Sequence, residues 1–487
     1  MKDADRKQVS CGCCRRDFLQ TVGITAGAVA GFSAGAFGAA ASPEKAPAPK
    51  KLPPPKKGTA TVLGAFVYPS SKSLRKKGYW SAPGVDFDAE GRQKQYTARI
   101  GEMEKKLGMR ISMDEKPLDS PTDVAQFINK VKQAKPDGLL LIPFYKRHWS
   151  HVMRIFGETE VPTVVLATLG VLLGPRINQL YRTPGAYLIT SLDDLDAVEY
   201  GMRMINTARR MRESRIISIA GSKAADYLVP GIGTQVRVLP LKRYYDEIER
   251  TPITAEVRQL AQTWKQGAKQ VIEPSAEDLI TAARMHMLNK RILEEEKGDA
   301  IMMDCLLRGR FLPCMSYMHL RDHGTAAGCQ NDLDATLTMM LLLHLFDRPG
   351  FMGNAGMDTV NNLYHHAHCT SASKLSGTGK PSEPYLLRSF AHTGLACVPE
   401  VLLREGQEVT LADYLHGEKP QMLIYTGKVV KNCHMPPAGG CRTNITMTIN
   451  EVDDVCDVKG MHQTVFYGNY ARQLRAFCQL HGITAVS

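Results

Sequence analysis

Short apolar runs alternate with helical segments over residues 59–346, and this alternation constrains the fold more than any other feature. The first run, Thr61 to Val67, is followed by Pro69-Ser70-Ser71, which predicts a buried strand and a loop. Further strands are expected at 138–143, 161–167, 187–191, 215–221 and 300–304, and helices at 91–107, 120–131, 193–212 and 276–297. Strands separated by helices form βαβ units, so parallel sheets are predicted. No G-x-G-x-x-G follows the first strand, so a dinucleotide site is not expected.

From about Asp347 the pattern changes to short β-like runs separated by turns rich in Gly, Pro and Asn. These runs lie at 363–369, 408–411, 421–430 and 442–449, and a helix is expected at 470–481. Such spacing is typical of an antiparallel sheet or barrel. The predicted fold class is therefore α/β. Two Rossmann-like α/β domains, at 59–183 and 184–346, are followed by an antiparallel β-barrel-like domain at 347–487.

A polar cluster precedes a strongly apolar helix in the middle of the chain. Asn331 or Asp332 is expected to cap this helix, which begins near Leu333 and ends before Pro349-Gly350. Gln330 therefore precedes a helix N-terminus, where backbone N–H groups favour a sugar oxygen or an oxyanion. A ligand site and a polar domain junction are both consistent with this arrangement.

Further polar residues flank the same helix on both sides. Asp304, Cys305 and the loop that leads to Gln330 follow a predicted parallel strand, and open α/β sheets bind ligands at such ends. The candidate functional residues near this helix are His319, Arg321, Asp322, His323, Asn354, Asp358, His365, His366 and His368. The alternative interpretation is that they are surface charges and structural histidines. On a strand, His366 and His368 share one face and His365 points away.

Four segments carry a resemblance to a known family: CQNDLDATLTM, RPGFMGN, AHCT and GMHQTVF. Together they resemble the L-fucose isomerase and L-arabinose isomerase superfamily, from about Thr59 onward, with the specific motifs in the C-terminal half. The resemblance implies two α/β domains and a β domain, aldose–ketose isomerisation, and a divalent metal, manganese or magnesium. The family's acidic positions correspond to Gln330 and Asn354, with Asp358 as a weaker choice for the second. Its histidine positions correspond to His368 and His462.

The chain departs from the family pattern at the acidic positions, where amides replace carboxylates. Amides hydrogen-bond a sugar, but they are not general bases near neutral pH and they are weaker ligands for hard cations. The base must then be sought at Asp332, Asp358 or Asp304. One expected function is a divergent aldose–ketose isomerase acting on a monosaccharide or derivative. The other is a non-catalytic carbohydrate-binding protein on the same scaffold. A homo-oligomer is expected in both cases.

The N-terminal residues resemble a twin-arginine export signal. Arg15-Arg16-Asp17-Phe18-Leu19 precedes a weakly apolar Gly/Ala-rich run that ends in an A-x-A-like site before Ser42. Residues 1–41 are expected to be removed, leaving a periplasmic or extracellular protein without a membrane segment. An uncleaved membrane anchor is the alternative. Residues 42–58 are rich in Pro and Lys, which predicts an extended, solvated tether.

Charge and cysteine content limit the classes of partner. Residues 1–58 hold ten basic and four acidic side chains, so their net charge of +6 is half of the chain's +12. The remainder is mildly basic, and no nucleic-acid partner is expected.

Nine cysteines follow the signal, and none of them forms a C-x-x-C pair. We therefore expect them to be small buried residues of the core. Cys329 and Cys369 stand out because they adjoin Gln330 and His368.

Overall fold

The computed structural model describes residues 51–72, 87–168, 171–172, 177–192, 194–306, 311–434 and 440–487. These residues belong to one compact unit, and the domain boundaries expected at 183/184 and 346/347 stay predictions. The expected export signal at 1–41 and the first residues of the expected tether lie outside the described residues. Within the described ranges, no helix has both the length and the apolar character needed to cross a membrane.

The N-terminal part folds around a parallel sheet. Its strands are β1 (Thr61–Val67), β2 (Arg110–Met113), β3 (Gly138–Pro143), β4 (Thr163–Ala167) and β5 (Ala186–Thr190). They pair in the spatial order β2-β1-β3-β4-β5, and all are parallel. The helices of this part are α1 (Ala89–Leu107), α2 (Pro121–Ala134) and α3 (Trp149–Thr159). Every residue of β3 and β4 is buried, as expected for strands covered on both faces.

A second, mainly parallel sheet follows. The strands of this region are β6 (Arg215–Ile219), β7 (Ala225–Leu228), β8 (Gln235–Leu239), β9 (Gln270–Val271), β10 (Ala300–Met303) and β11 (Ala326–Gly328). The sheet order is β11-β10-β6-β8-β7, with only the β7–β8 pair antiparallel among the described pairings. The helices are α4 (Asp196–Arg212), α5 (Leu241–Arg250), α6 (Ala255–Gly267), α7 (Ala276–Glu296) and α8 (Cys314–Asp322).

The C-terminal part is dominated by antiparallel strands. After α9 (Leu333–Phe346) its elements are β12 (Phe351–Asp358), β13 (Leu363–His368), β14 (Tyr385–Arg388), β15 (Val398–Val401), β16 (Glu408–Leu415), β17 (Gln421–Asn432), β18 (Thr443–Met447), β19 (His462–Tyr467), α10 (Ala471–Leu480) and β20 (Thr484–Val486). One sheet has the order β16-β19-β12-β13-β18-β17-β20, and an added β16–β17 pairing closes the order on itself. A small sheet joins β15, β14 and β9. The expected α/β class, with parallel sheets before antiparallel strands, is confirmed.

Helix ends follow the local sequence signals. The expected start at Ser120 is a capping box with Asp123, and Pro121 occupies the first turn of α2. Asp347 ends α9 in the left-handed conformation, immediately before Arg348-Pro349. The side chains of α9 pack in the same core as residues of β16 and β19, so this helix joins the second sheet to the antiparallel one.

Two expectations are corrected by the described residues. The segment from Asp304 to Gln330, interpreted as a loop, contains α8 and β11. The last part of the expected solvated tether lies against the second sheet: the Leu52 N–H donates to Asp226 at 3.1 Å, and the Arg215 guanidinium donates to the Leu52 carbonyl at 3.2 Å. The composition of the tether does not predict this docking of Leu52, because its partners Asp226 and Arg215 lie far along the chain.

Candidate functional site

The candidate site lies at the C-terminal ends of β10 and β11, where the second sheet meets the antiparallel one. Strand β11 ends at Gly328, and a short turn through Gln330 and Asn331 leads into α9. Both turn residues have positive φ, 53° and 56°, a conformation that costs energy for residues other than glycine. The Ser218 hydroxyl on β6 donates to Asn331 Oδ1 at 2.7 Å, which anchors the turn to the sheet.

Asp332 uses its two carboxylate oxygens for different purposes. Oδ1 accepts the Ala335 N–H at 2.8 Å, so Asp332 and not Asn331 caps α9. Oδ2 lies 2.7 Å from Nδ1 of His462. A carboxylate at this nitrogen favours the tautomer that carries its proton on Nδ1. The helix cap therefore fixes the orientation of a histidine that is far away in sequence.

His462 and Asn354 face each other across neighbouring antiparallel strands, β19 and β12. Nε2 of His462 lies 2.6 Å from the Asn354 side-chain amide. The contacting atom is Asn354 Oδ1, which accepts, so in this arrangement Nε2 of His462 donates, and the N–H groups of Asn354 are not used in the contact. The side chains of His462 and Asp332 are 16% and 20% exposed, so the cluster is in contact with solvent.

His368 lies on the buried side of the same cluster. Its ring is edge-on to that of His462, with centroids 6.0 Å apart, and its Nε2 is 3.4 Å from Gln330 Nε2. The alternation expected for β13 is confirmed, because His366 and His368 are buried and His365 is less so. His366 Nε2 donates to the Phe351 carbonyl at 2.9 Å, and burial lowers the pKa of His366 to about 3.

Cysteine residues surround His368. The pKa of the Cys329 thiol lies well below the ordinary value because Cys305 hydrogen-bonds to it; burial opposes this, and His368 lowers it further. Arg321 Nη2 is 3.6 Å from Cys329 Sγ. Burial acts to lower the pKa of His368, but Cys329 outweighs burial and the net pKa is raised. The Cys329 thiol and the His368 imidazole thus shift each other's pKa in opposite directions, that of the thiol downward and that of the imidazole upward.

A carboxyl group on β16 adds to the electrostatics near the cap of α9. Asp413 is buried, and its Oδ1 has no hydrogen-bond partner among the described residues. Burial raises its pKa to about 8, and the neighbouring charges of Asp334 and Asp332 raise it as well. Asp413 therefore holds a proton near neutral pH.

The structure brings together most of the sequence-predicted site residues. Contacts link Gln330 to His368 and link His462 to both Asn354 and Asp332, as described above. Asp358 lies apart from them. It pairs with Leu363 beside the β12–β13 turn and accepts the backbone N–H groups of that turn. It lies four positions further along the strand than Asn354, a distance of about 13 Å.

The polar residues of α8 form a different cluster. His319 lies on the face toward α7, where its ring centroid is 4.6 Å from that of His286. Burial lowers the pKa of these two histidines to about 4 and about 3, so both are neutral packing residues. Arg321 instead contacts Cys329. Sequence reasoning missed the approach of Cys441 to Cys369, because no local pattern predicts that the strand ends preceding β18 and following β13 meet.

The donor set is a poor fit to manganese or magnesium. Gln330 and Asn354 are neutral amides, and the Asp332 carboxylate already binds the α9 N-terminus and His462. Among the residues that the structure describes, no group of three or more His, Cys, Asp or Glu side chains could hold a metal ion. The divalent-metal expectation stays a prediction, and no chemical step is derived from it.

Comparison with known proteins adds no assignment: no family model matches the chain, and no curated protein matches it. The isomerase resemblance therefore rests on the four motifs and stays a prediction.

Proposed function

We propose that this chain is an exported, divergent aldose–ketose isomerase that acts on a monosaccharide or a derivative. The observation that carries the proposal is the contact series Asp332–His462–Asn354. A carboxylate that orients one imidazole nitrogen makes the other a general base once the sugar displaces its contact with Asn354. This supplies the base that the two amide replacements had removed.

His462 is the acid–base group in this proposal. Its Nε2 removes the proton from the carbon next to the sugar carbonyl, and an enediol forms. The proton returns to the adjacent carbon while the hydroxyl proton moves between the two oxygens, so no atom is gained or lost. Asp332 stabilises the imidazolium that exists between these steps.

The amides of Gln330 and Asn354 have a complementary role. Their N–H groups hydrogen-bond the two sugar oxygens and stabilise the negative charge that develops there. Both side chains lie beside a histidine, Gln330 at His368 and Asn354 at His462. Such donors are effective when they are held rigid, and the strained turn at Gln330 and the strand β12 supply that rigidity.

The resemblance extends the proposal to the scaffold. In this proposal the parallel sheet and the mainly parallel sheet belong to two Rossmann-like domains, and the antiparallel strands with the closed order belong to a barrel-like domain. Export by the twin-arginine route to the periplasm or outside the cell, removal of residues 1–41, and assembly into a homo-oligomer belong to the same proposal. The partner is a small carbohydrate.

A carbohydrate-binding protein without catalysis is the second candidate. The specific observation in its favour is that amides occupy both positions that are acidic in the isomerase family. Amides bind sugar hydroxyl groups well as both donors and acceptors. In this case His462 would serve only as a hydrogen-bonding group.

An activity and binding panel separates the two candidates. The mature protein is incubated with aldopentoses, aldohexoses and their deoxy forms, and ketose formation and calorimetric binding are measured for each sugar. We expect conversion of at least one sugar, and a His462→Gln variant that binds it with a similar Kd but converts it at least about 100-fold more slowly. Binding without conversion by the native protein would favour the second candidate.

A further inference from the structure

We infer that Cys369 and Cys441 form a reversible redox site, which closes to a disulfide by thiol–disulfide exchange with a small disulfide such as glutathione disulfide. Their sulfur atoms lie 3.9 Å apart. The inference rests on this geometry and does not depend on the proposed enzymatic activity.

Strand pairing holds the two cysteines in place. His368 of β13 pairs with Thr443 of β18, and this is the last pair of that ladder. Cys369 follows the first strand and Cys441 precedes the second, so both leave the sheet at the same end. Closing the bond requires the sulfurs to approach from 3.9 Å to about 2.05 Å, which side-chain rotation and a small shift of the strand ends can supply.

Exposure distinguishes this pair from the cysteines around it. Cys369 and Cys441 are both partly exposed, whereas Cys305, Cys314 and Cys329 are buried. The pair therefore lies nearer the solvent than the buried cysteines do. Cys433 is also partly exposed and close in sequence, which makes it the matched control.

The exchange balances in two steps. The thiolate of one cysteine attacks glutathione disulfide, forms a mixed disulfide and releases one glutathione thiolate. The second cysteine, as its thiolate, attacks the mixed disulfide, forms the internal bond and releases the second glutathione. The protein loses two electrons and two protons, and one glutathione disulfide becomes two molecules of glutathione.

The disulfide would form at the end of β13, next to the candidate site. Cys369 is the neighbour of His368, whose ring contacts Gln330. Drawing Cys369 toward Cys441 pulls the end of β13 toward β18 and closes a loop of chain between them. Such a crosslink restricts the unfolded chain, and we expect the thermal unfolding midpoint to rise by about 2–5 °C on oxidation.

Peptide mapping of the full mature chain tests the inference. The reduced protein is incubated with glutathione disulfide, alkylated, digested with trypsin and analysed by mass spectrometry. Trypsin leaves Cys369 on one peptide with Cys329, and Cys441 on another with Cys433, so variants must identify the linked atoms. Cys369→Ser, Cys441→Ser and Cys433→Ser are therefore compared with the native chain.

We expect the two peptides to be joined, with loss of two hydrogens, in the native chain and in Cys433→Ser. The Cys369→Ser and Cys441→Ser variants should lose the joined species and accumulate a glutathione adduct on the remaining cysteine. Reduced samples of all four proteins should unfold at similar temperatures, which shows that the variants are folded. A joined species that persists in Cys369→Ser or Cys441→Ser, or full alkylation of both thiols in the treated native chain, would overturn the inference.

Discussion

Asp332 and His462 lie 130 residues apart in sequence, and a 2.7 Å contact joins the carboxylate of one to the imidazole of the other. The same carboxylate caps α9 through the Ala335 N–H. The position of the helix therefore fixes the orientation of the histidine, and the site is assembled from the end of one parallel sheet and the face of an antiparallel one.

The two uses of Asp332 can be separated by substitution. Asn is as good a helix cap as Asp, but it does not enforce the same imidazole tautomer. We expect Asp332→Asn to change the free energy of unfolding by less than about 1 kcal/mol and to lower kcat by roughly 100-fold or more. Chemical unfolding and steady-state kinetics on the converted sugar measure the two effects.

Asp334 supplies the matched control. It contacts His416 in the same kind of carboxylate–imidazole pair and lies in the first turn of the same helix. Because His416 does not belong to the site cluster, Asp334→Asn should leave kcat within about twofold of native. Equal losses in the Asp332→Asn and Asp334→Asn variants would mean that the helix terminus as a whole, and not the His462 contact, controls activity.

The packing of Gly353 against His366 predicts a stability effect. A Cβ at Gly353 would lie 2.6 Å from His366 Nε2, and that ring is held by the Phe351 carbonyl. We expect Gly353→Ala to lower the free energy of unfolding by about 1–3 kcal/mol. Gly101, on α1, has no neighbour within 4 Å of its added Cβ, so Gly101→Ala should be neutral or stabilising by up to about 1 kcal/mol. Urea titrations of both variants check the contrast.

Asp413 predicts how stability changes with pH. Its folded-state pKa of about 8 exceeds the unfolded value near 3.9, so between these values the folded chain holds a proton that the unfolded chain has lost. This contribution is fully present below about pH 4 and is lost as the pH rises toward 8. Relative to Asp413→Asn, the native free energy of unfolding should fall by up to about 1.4 kcal/mol per pH unit from pH 5 to 7. If the free energies of unfolding of the native chain and of Asp413→Asn changed with pH in the same way, this prediction would be wrong.

The export proposal has its own test. Arg15 and Arg16 precede the Asp-Phe-Leu sequence that resembles a twin-arginine signal. Replacing both by lysine should retain the protein inside the cell, while the native chain is recovered outside the cytoplasm with an N-terminus near Ser42. Fractionation and N-terminal sequencing measure both outcomes, and normal export of the double-lysine variant would exclude this route.

Local signals in the sequence predicted many elements of the fold. The helix start at Ser120 and the buried strand at 138–143 depend on interactions within a few residues, and both predictions are confirmed. Helix α8 was missed because most of its residues are buried, so it shows no alternation between polar and apolar faces. The docking of Leu52 on the second sheet was missed because its partners lie far along the chain.

The candidate site was predictable only in part, for the same physical reason. The resemblance pointed to Gln330, Asn354, His368 and His462, and the structure brings these residues together. The role of Asp332 as the partner of His462 depends on how α9 packs against β19, which no local pattern encodes. Asp358, in contrast, does not join the site, because it lies at the far end of β12 from Asn354, beside the β12–β13 turn.

Deuterium incorporation tests the central claim, that His462 transfers a proton to and from a sugar carbon. A sugar that the protein binds is incubated with the native chain in D2O, and NMR follows the hydrogen on the carbon next to the carbonyl. We predict exchange of that hydrogen by native protein and by the His416→Gln control, and at least about 100-fold slower exchange by His462→Gln. Equal exchange by His462→Gln, or tight binding by the native chain with no exchange at all, would contradict the account.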